Sequence, residues 1–267
     1  MKILRNISDL NKAISNVKNL GFVPTMGGLH KGHKSLINIS KKNSKKTIVS
    51  IFVNPKQFNS KKDFKSYPRN LKKDLKILKN LKVNYVFIPN VREIYKKQRK
   101  NKIKLSKRDV IMCAYYRKGH FEGVLDVMER LLKIIEPRNL YMGEKDFQQL
   151  FLIKKFFKKK FNTKIISCPT IRDENKVALS SRNILLKKKD LYTAGKIAKY
   201  LFNIKNLISR KNISLMKIKS ELEKKYLIKI EYLQIRNVND LKNSNYKKKY
   251  RIFIAYYIKG IRLIDNF

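Results

Sequence analysis

The stretch "GFVPTMGGLHKGHKSLI", Gly21 to Ile37, contains two of the chain's three histidines, His30 and His33. The apolar run FVPT predicts a strand, and a helical pattern follows from about Lys31 to Lys42. Between them, the pair Gly27-Gly28 allows a tight turn, because glycine tolerates positive φ. The free N–H groups and the positive dipole end of the helix then face whatever lies beyond the strand. This stretch predicts a strand–turn–helix that binds phosphate.

The spacing of the two histidines, i and i+3, brings them together if the helix has begun by His30. A zinc site is one alternative, but it needs further ligands. Only His120, Cys113 and Cys168 remain, and they are scattered. Chance placement of surface histidines is a second alternative. No G-x-x-x-x-G-K-[ST] motif occurs, so the turn is not a P-loop, and no metal site is predicted.

The first two thirds of the chain alternate short apolar runs with helical patterns. Predicted strands are TIVSIFVN, VNYVFIP, NLYMG and KIISCPTI, and predicted helices are NLKKDLKILKNL, GVLDVMERLLKII and EKDFQQLFLIKKFFKK. This alternation predicts an α/β fold with a doubly wound parallel sheet. After about Thr170 two helical patterns precede three strand patterns, which predicts a smaller α+β domain. We place the domains at residues 1–172 and 173–267.

The net charge of +46 over 267 residues invites a nucleic-acid-binding interpretation. The lysines are spread over the whole chain, however, and Asn and Ile are also abundant, which favours drift of the codons toward A and T. We therefore expect no specific nucleic-acid partner. No apolar run approaches the ~18 residues of a membrane helix, so no membrane association is expected. Two cysteines without metal spacing suit a reduced, cytoplasmic enzyme.

Polar side chains recur where predicted strands end. Asn54 and Gln57 follow one strand, where amides could bind hydroxyl and carboxylate groups, although Asn-Pro is also ordinary turn chemistry. After Gly143, a predicted helix opens at Glu144. In its first turn, Lys145 could reach a phosphate, and Asp146 could accept from a ribose hydroxyl or cap the helix.

Three further groups of residues extend this pattern. Gln149 shares a helix face with Lys145, although a solvated face would also explain it and its neighbour Gln148. The loop Ser180-Ser181-Arg182 could close over phosphates, or serve as a turn and helix cap. His120 lies beside Arg117 in sequence. Polar loops at successive strand ends predict an ATP-using enzyme.

Several of these stretches, in this order, resemble the pantothenate synthetase family. They are VPTMGGLHKGH, SIFVNPKQF, YPR, GHFEGV, GEKDFQQL, LSSRN, QIRN and IRLIDN. The resemblance implies the His-x-Gly-His nucleotidyltransferase superfamily, a Rossmann-like first domain, a smaller C-terminal domain and a homodimer. It also implies that pantoate and ATP form pantoyl adenylate and pyrophosphate, and that β-alanine then displaces AMP to give pantothenate.

The resemblance also implies roles for individual residues. His33, His30 and Lys145 would be catalytic. The ATP-binding residues would be Met26, Gly27, Gly28, Leu29, His30, Lys31, Gly32, His33, Gly143, Glu144, Lys145, Asp146, Ile171, Leu179, Ser180, Ser181 and Arg182. Gln57 and Gln149 would bind pantoate, with Asn54, Arg117 and His120 also at the substrates. Mg²⁺ would arrive with ATP and be held mainly by its phosphates.

The chain departs from the family pattern near GHFEGV. Cys113 and Ala114 occupy positions where the family has an acidic residue and a glycine, and Lys118 replaces a proline. The preceding segment, residues 95–110, is also unlike the family's. Two other functions stay open at this point: a nucleotidyltransferase acting on a phosphate ester, and an RNA-binding protein that uses the positive charge.

Overall fold

The structure is a computed structural model that describes residues 1–96, 103–211, 214–243 and 249–267. The chain divides into two compact units, Met1–Thr170 and Ile171–Phe267. None of the helices in these described ranges combines the length and apolar character needed to cross a membrane.

The first unit is built on a parallel sheet, which has six strands in the described residues. They are β1 (Lys2–Leu4), β2 (Leu20–Thr25), β3 (Lys46–Ile51), β4 (Tyr85–Phe87), β5 (Asn139–Gly143) and β6 (Lys164–Cys168). The strand order is β1-β4-β3-β2-β5-β6, and each neighbouring pair is parallel. From β2 the chain builds the sheet outward through β3 and β4, and then resumes on the other side with β5. The junction of β2 and β5 is therefore the topological switch point, where open α/β sheets bind ligands.

Helices connect and flank these strands. They are α1 (Ile7–Ile14), α2 (Lys31–Asn43), α3 (Lys61–Ser66), α4 (Leu71–Asn80), α5 (Val91–Tyr95), α6 (Met112–Tyr116), α7 (His120–Ile135) and α8 (Phe147–Phe157). Successive residues Phe22 and Val23 of β2 are both fully buried, so both faces of the sheet are covered. On one face, Ile37 of α2 and Leu78 of α4 pack with Val23 and Val49 in a single cluster. This is the two-sided burial expected of parallel sheets.

The second unit packs two helices on an antiparallel sheet. Its elements are α9 (Lys188–Lys211), α10 (Leu215–Tyr226), β7 (Lys229–Asn237), β8 (Tyr250–Ile258) and β9 (Ile261–Asn266), with strand order β7-β8-β9. Leu201 of α9 and Leu222 of α10 share a buried cluster with Ile230, Ile254 and Leu263 from the three strands. The predicted fold class, a Rossmann-like parallel sheet followed by a smaller α+β part, is confirmed.

Among the predicted element boundaries that are wrong, two lie at the candidate site. The strand predicted through Asn54 ends at Ile51, because Asn54 caps a 3₁₀ turn over Pro55–Gln57 and proline cannot donate to a strand ladder. The helix predicted from Glu144 begins instead as a 3₁₀ turn, Glu144–Asp146, and becomes α-helical at Phe147.

Candidate active site

Three neighbouring strands deliver most of the predicted site residues to one edge of the sheet. β2 ends at Thr25 and leads into Met26–His30, while β5 ends at Gly143 and leads into Glu144–Asp146. β3, on the other side of β2, leads to Asn54 and Gln57. Since parallel strands end at the same edge, the candidate phosphate, ribose and acid-binding groups converge at the switch point.

His30 and His33 together cap the N-terminus of α2. The Nδ1 atom of His30 accepts from the amide of Gly32 at 3.1 Å, and Nδ1 of His33 accepts from the amide of His30 at 3.4 Å. The two ring centroids lie 4.1 Å apart. This is the reciprocal arrangement of a capping box, with imidazoles in place of the usual hydroxyl and carboxylate.

The cap determines where each histidine carries its proton. A ring nitrogen that accepts an amide hydrogen bond is unprotonated, so the proton of the neutral ring lies on Nε2. Burial, and then the positive charge of Lys145, lower the pKa of His30 to about 4. Burial, and then the charge of His30, lower the pKa of His33 to about 3. At neutral pH each histidine is therefore an uncharged donor through Nε2.

We expect neither histidine to titrate between pH 8 and pH 5.5, because both folded pKa values lie below this range. The imidazole ¹⁵N signals of the free protein should show the neutral Nε2–H tautomer throughout, with assignment from His30→Gln and His33→Gln. In the unfolded chain both groups bind protons near pH 6.5. Their contribution to stability is therefore complete above pH 6.5 and is lost as the pH falls toward 4 and 3. Titration of either ring near pH 6.5 would contradict this assignment.

Three successive amides of the loop before α2 have acceptors within the protein. Gly27 N donates to Thr25 Oγ1 at 3.2 Å. Gly28 N and Leu29 N donate to the two carboxylate oxygens of Asp74 at 2.9 and 2.8 Å. The Leu29 side chain packs in the core. The amides of Gly27, Gly28 and Leu29 are therefore engaged within the protein, and the side chains of His30 and His33 are candidate donors to a phosphate.

Asp74 is a site residue that the sequence reasoning missed. It lies on α4 and is only 2% exposed. The available signal was its position: Asp74 is four residues before the buried Leu78 and so occupies the apolar stripe of an otherwise lysine-rich helix. A carboxylate in such a stripe indicates a buried partner.

Lys145 and Asp146 form the second part of the site. Lys145 Nζ lies 3.4 Å from Asp146 Oδ1. Burial alone would raise the pKa of Asp146. The charge and hydrogen bond of Lys145, together with the charges of His120 and His33, outweigh burial and hold that pKa below its usual value. Asp146 makes no side-chain capping bond to α8, so its carboxylate is not occupied as the predicted alternative, a helix cap, would require.

Asn54 and Gln57 form one hydrogen-bonded unit. The Asn54 side chain is 1% exposed; its Nδ2 donates to Gly123 O at 3.0 Å and to Gln57 Oε1 at 3.3 Å. Its Oδ1 accepts from Tyr95 Oη at 2.7 Å and from the amide of Lys56 at 3.2 Å. Gln57 Nε2 contacts Met26 Sδ at 2.9 Å, which joins this unit to the histidine loop. Asn54 thus holds the Gln57 side chain in place.

Arg117 and His120 hold the backbone of Gln57. His120 Nδ1 donates to Gln57 O at 2.6 Å, and its Nε2 accepts from Arg117 Nη1 at 2.9 Å. Gly123, one turn along α7, lets this helix approach closely, because a Cβ there would lie 2.2 Å from Lys56 O. The turn that carries Gln57 is therefore fixed by α7 on one side and by Asn54 on the other.

Gln148 and Gln149 have different environments. Gln148 is buried; its Oε1 accepts from Cys113 N at 3.0 Å and its Nε2 donates to Ile111 O at 2.7 Å. The solvated-face alternative is thus wrong for Gln148, which anchors the start of α6. Gln149 is half-buried one turn beyond Lys145. The unusual Cys113 and Ala114 lie buried in α6, whereas residues 97–102 of the unusual preceding segment lie outside the described residues.

The remaining predicted nucleotide residues belong to the second unit. There, Leu179 N donates to Ile171 O at 3.0 Å, which closes a short hairpin. Arg172 anchors this hairpin through two bonds to Asp265, at 2.6 and 2.7 Å. Ser180 Oγ accepts from Arg182 N at 3.3 Å and caps the 3₁₀ turn Ser181–Leu185. The predicted alternative for this loop, a turn with a cap, is thus what Ser180 forms.

The family model described as Pantoate-beta-alanine ligase matches residues 2–267. The chain belongs to this family. The pantothenate synthetase of Acetivibrio thermocellus is 38% identical over 282 residues, covering 100% of this chain and 98% of that protein.

This chain also has the same fold as solved structures of pantoate-beta-alanine ligases. The pantoate-beta-alanine ligase of Francisella tularensis, complexed with beta-gamma ATP and β-alanine, is 40% identical with a TM-score of 0.86, covering 100% of this chain and 97% of that one. The enzyme of Thermus thermophilus is 29% identical with a TM-score of 0.89, covering 100% and 99%. The similarity to pantoate-beta-alanine ligases thus extends over both units of the chain.

The described part of this family member contains no group of three or more His, Cys, Asp or Glu side chains that could hold a metal ion. Its two cysteines, Cys113 and Cys168, are free and buried. Burial, and then the charge of Glu144, raise the pKa of the Cys168 thiol to about 11, so it is protonated at neutral pH.

Proposed function

We propose that this protein is an ATP-dependent pantoate–β-alanine ligase that forms pantothenate through pantoyl adenylate. The observation that carries the proposal is the capped His30–His33 pair beside Lys145 at the switch point of the sheet. The Francisella relative is complexed with beta-gamma ATP and β-alanine, and we assign the same two ligand classes to this chain.

In the first step, a carboxylate oxygen of (R)-pantoate attacks the α-phosphorus of ATP. The bond from this phosphorus to the bridging oxygen breaks, and pyrophosphate leaves with the electron pair. Negative charge grows on the phosphoryl oxygens, so fixed donors and cations accelerate the step. We assign the cationic role to Lys145 and the neutral N–H donor role to Nε2 of His30 and His33.

In the second step, the amine of β-alanine attacks the acyl carbon of the adenylate. The amide C–N bond forms, the C–O bond to AMP breaks, and the nitrogen loses a proton. The chemistry requires positioned reactants and no covalent enzyme intermediate. We assign pantoate to Gln57 and Gln149, because Gln57 is held rigidly by Asn54 and His120.

Other assignments complete the proposal. Asp146 binds the ribose, and the nucleotide is also bound by Ile171, Leu179, Ser180, Ser181 and Arg182. ATP enters as its Mg²⁺ complex, with the metal held mainly by phosphates. We propose an ATP- and pantoate-binding domain at 1–172, a C-terminal domain at 173–267, and a homodimer. The two free thiols support a cytoplasmic location.

The two half-reactions should be separable. Pantoate alone should support isotope exchange between pyrophosphate and ATP, because the carboxylate is the first nucleophile and no amine is needed. β-Alanine alone should support none, and AMP release should require both acids. Exchange that needs β-alanine, or that proceeds without pantoate, would favour transfer of the nucleotidyl group to a phosphate ester instead.

A further inference from the structure

We infer that Asp74 is a positioning residue for the phosphate step, acting by holding the loop that carries His30. This inference rests on the proposed function. The Asp74 carboxylate accepts from Gly28 N through Oδ2 and from Leu29 N through Oδ1. It thus fixes two consecutive peptide groups immediately before the cap residue of α2.

The contact joins the loop to a separate element. The other loop amides given above, those of Gly27 and His30, donate to Thr25 and His33. Both acceptors belong to the same strand–turn–helix as the loop itself. Asp74 comes from α4, 45 and 46 residues away in sequence from its two partners. The carboxylate therefore sets the position of the loop relative to the rest of the sheet.

The conformation of the loop at Gly27 and Gly28 depends on the position of the Asp74 carboxylate, which lies close to its backbone. Gly27 and Gly28 adopt φ values of +78° and +62°, which favour glycine. A Cβ on Gly27 would lie 3.0 Å from Asp74 Oδ2 and 3.3 Å from Ile51 Cγ2. A side chain at residue 27 would therefore push against the carboxylate, and the loop would have to move.

The charge of Asp74 argues for a geometric role. A negative group buried beneath a loop that handles polyphosphate opposes anion binding at long range. No cationic side chain pairs with Asp74 within the described part of the chain. What the carboxylate provides is two charge-assisted bonds that fix adjacent amides, which a neutral side chain of this size cannot duplicate.

Asp74→Asn tests the inference, because asparagine keeps the shape but offers one acceptor and a donor that opposes an amide N–H. We expect the kcat of pantoate-dependent exchange to fall at least about 10-fold, since small misplacements of reacting groups have large effects. The KM for pantoate should stay within about twofold, because Gln57 and Gln149 lie on other elements. Asp109→Asn is the matched control: Asp109 is a carboxylate of similar burial that pairs with Lys155, away from the loop. It should lower stability and leave kcat within about twofold.

A double-mutant cycle separates positioning from general destabilisation. In a His30→Ala/His33→Ala background, Asp74→Asn should reduce the residual exchange by less than about threefold, because its effect passes through the histidines. Equal losses in both backgrounds, or full kcat in Asp74→Asn, overturn the inference. If Asp74→Asn does not fold, Gly27→Ala disturbs the same contact and should give the same cycle.

An NMR readout is independent of the reaction. The amide protons of Gly28 and Leu29 should shift upfield in Asp74→Asn, and the imidazole signals of His30 and His33 should move with them. If the wild type lacks exchange activity, the proposed function fails while this readout still decides the inference. Unchanged imidazole signals in Asp74→Asn overturn it.

Discussion

His33→Ala should reduce pantoate-dependent exchange between pyrophosphate and ATP by about 10²–10³-fold, because the proposed mechanism loses one positioned donor to developing charge. The substitution also removes the acceptor for the His30 amide, which should destabilise the protein by about 1 kcal/mol. Exchange at saturating substrates and thermal unfolding, measured on the same preparations, separate the two effects.

Two further substitutions separate the roles of the two ring nitrogens of His33. His33→Asn keeps an acceptor near the Nδ1 position but has no donor at Nε2, so it should recover stability and stay inactive. His33→Gln places an amide N–H near Nε2 and should recover part of the turnover. A fully active His33→Asn variant would remove the Nε2 proton from the mechanism.

Lys145→Ala should lower the kcat of exchange by about 10²–10³-fold at saturating pantoate, because in the proposed mechanism the charge of Lys145 acts on the phosphoryl oxygens. The KM for pantoate should change little. The same charge lowers the pKa of both His30 and Asp146, so both pKa values should rise in the variant. A ¹⁵N titration of His30 checks this coupling without reference to turnover.

Lys154→Ala provides the matched control for Lys145→Ala. Lys154 lies on the following helix, α8, and donates to Ser167 Oγ at 2.6 Å. Its loss should leave exchange unchanged. Gln57→Ala should give the contrasting result. It should raise the KM for pantoate, because about 1–3 kcal/mol of binding free energy is lost. If Lys145→Ala also acted through the pantoate KM, the division between acid and phosphate groups would be wrong.

The order of apolar runs predicted most of the first sheet, because parallel strands are buried on both faces and stand out as continuous apolar segments. Neither β1 nor α1 was predicted, because neither has an extended apolar pattern. Lys2–Leu4 is only three residues long, with a single buried side chain, and Ile7–Ile14 buries Leu10 alone. Such short elements are stabilised by packing on the sheet edge and on neighbouring helices. Their own sequence patterns are too weak to predict them.

The candidate site was predictable as a set of residue types and only partly as a set of contacts. Strand ends indicated His30, Lys145 and Gln57 without any knowledge of packing. The mutual capping of His30 and His33 was not predictable, because imidazole is an uncommon cap and spacing alone does not give ring orientation. The position of Asp74 in an apolar stripe indicated a buried partner but not which one, because its partners are peptide groups 45 and 46 residues away and no sequence pattern marks a particular N–H.

The internally bonded loop between β2 and α2 has a consequence for how this site could be modified or inhibited. In a cradle made of peptide N–H groups, no substitution except proline deletes a donor. Here the amides of Gly27 to His30 are already engaged, so in the proposed mechanism this loop binds the triphosphate through side chains, which a substitution can replace. The strength of each donor can therefore be varied by substitution of its side chain. A compound competing with the triphosphate would have to present acceptors to two imidazoles and an ammonium group rather than to a ring of backbone amides.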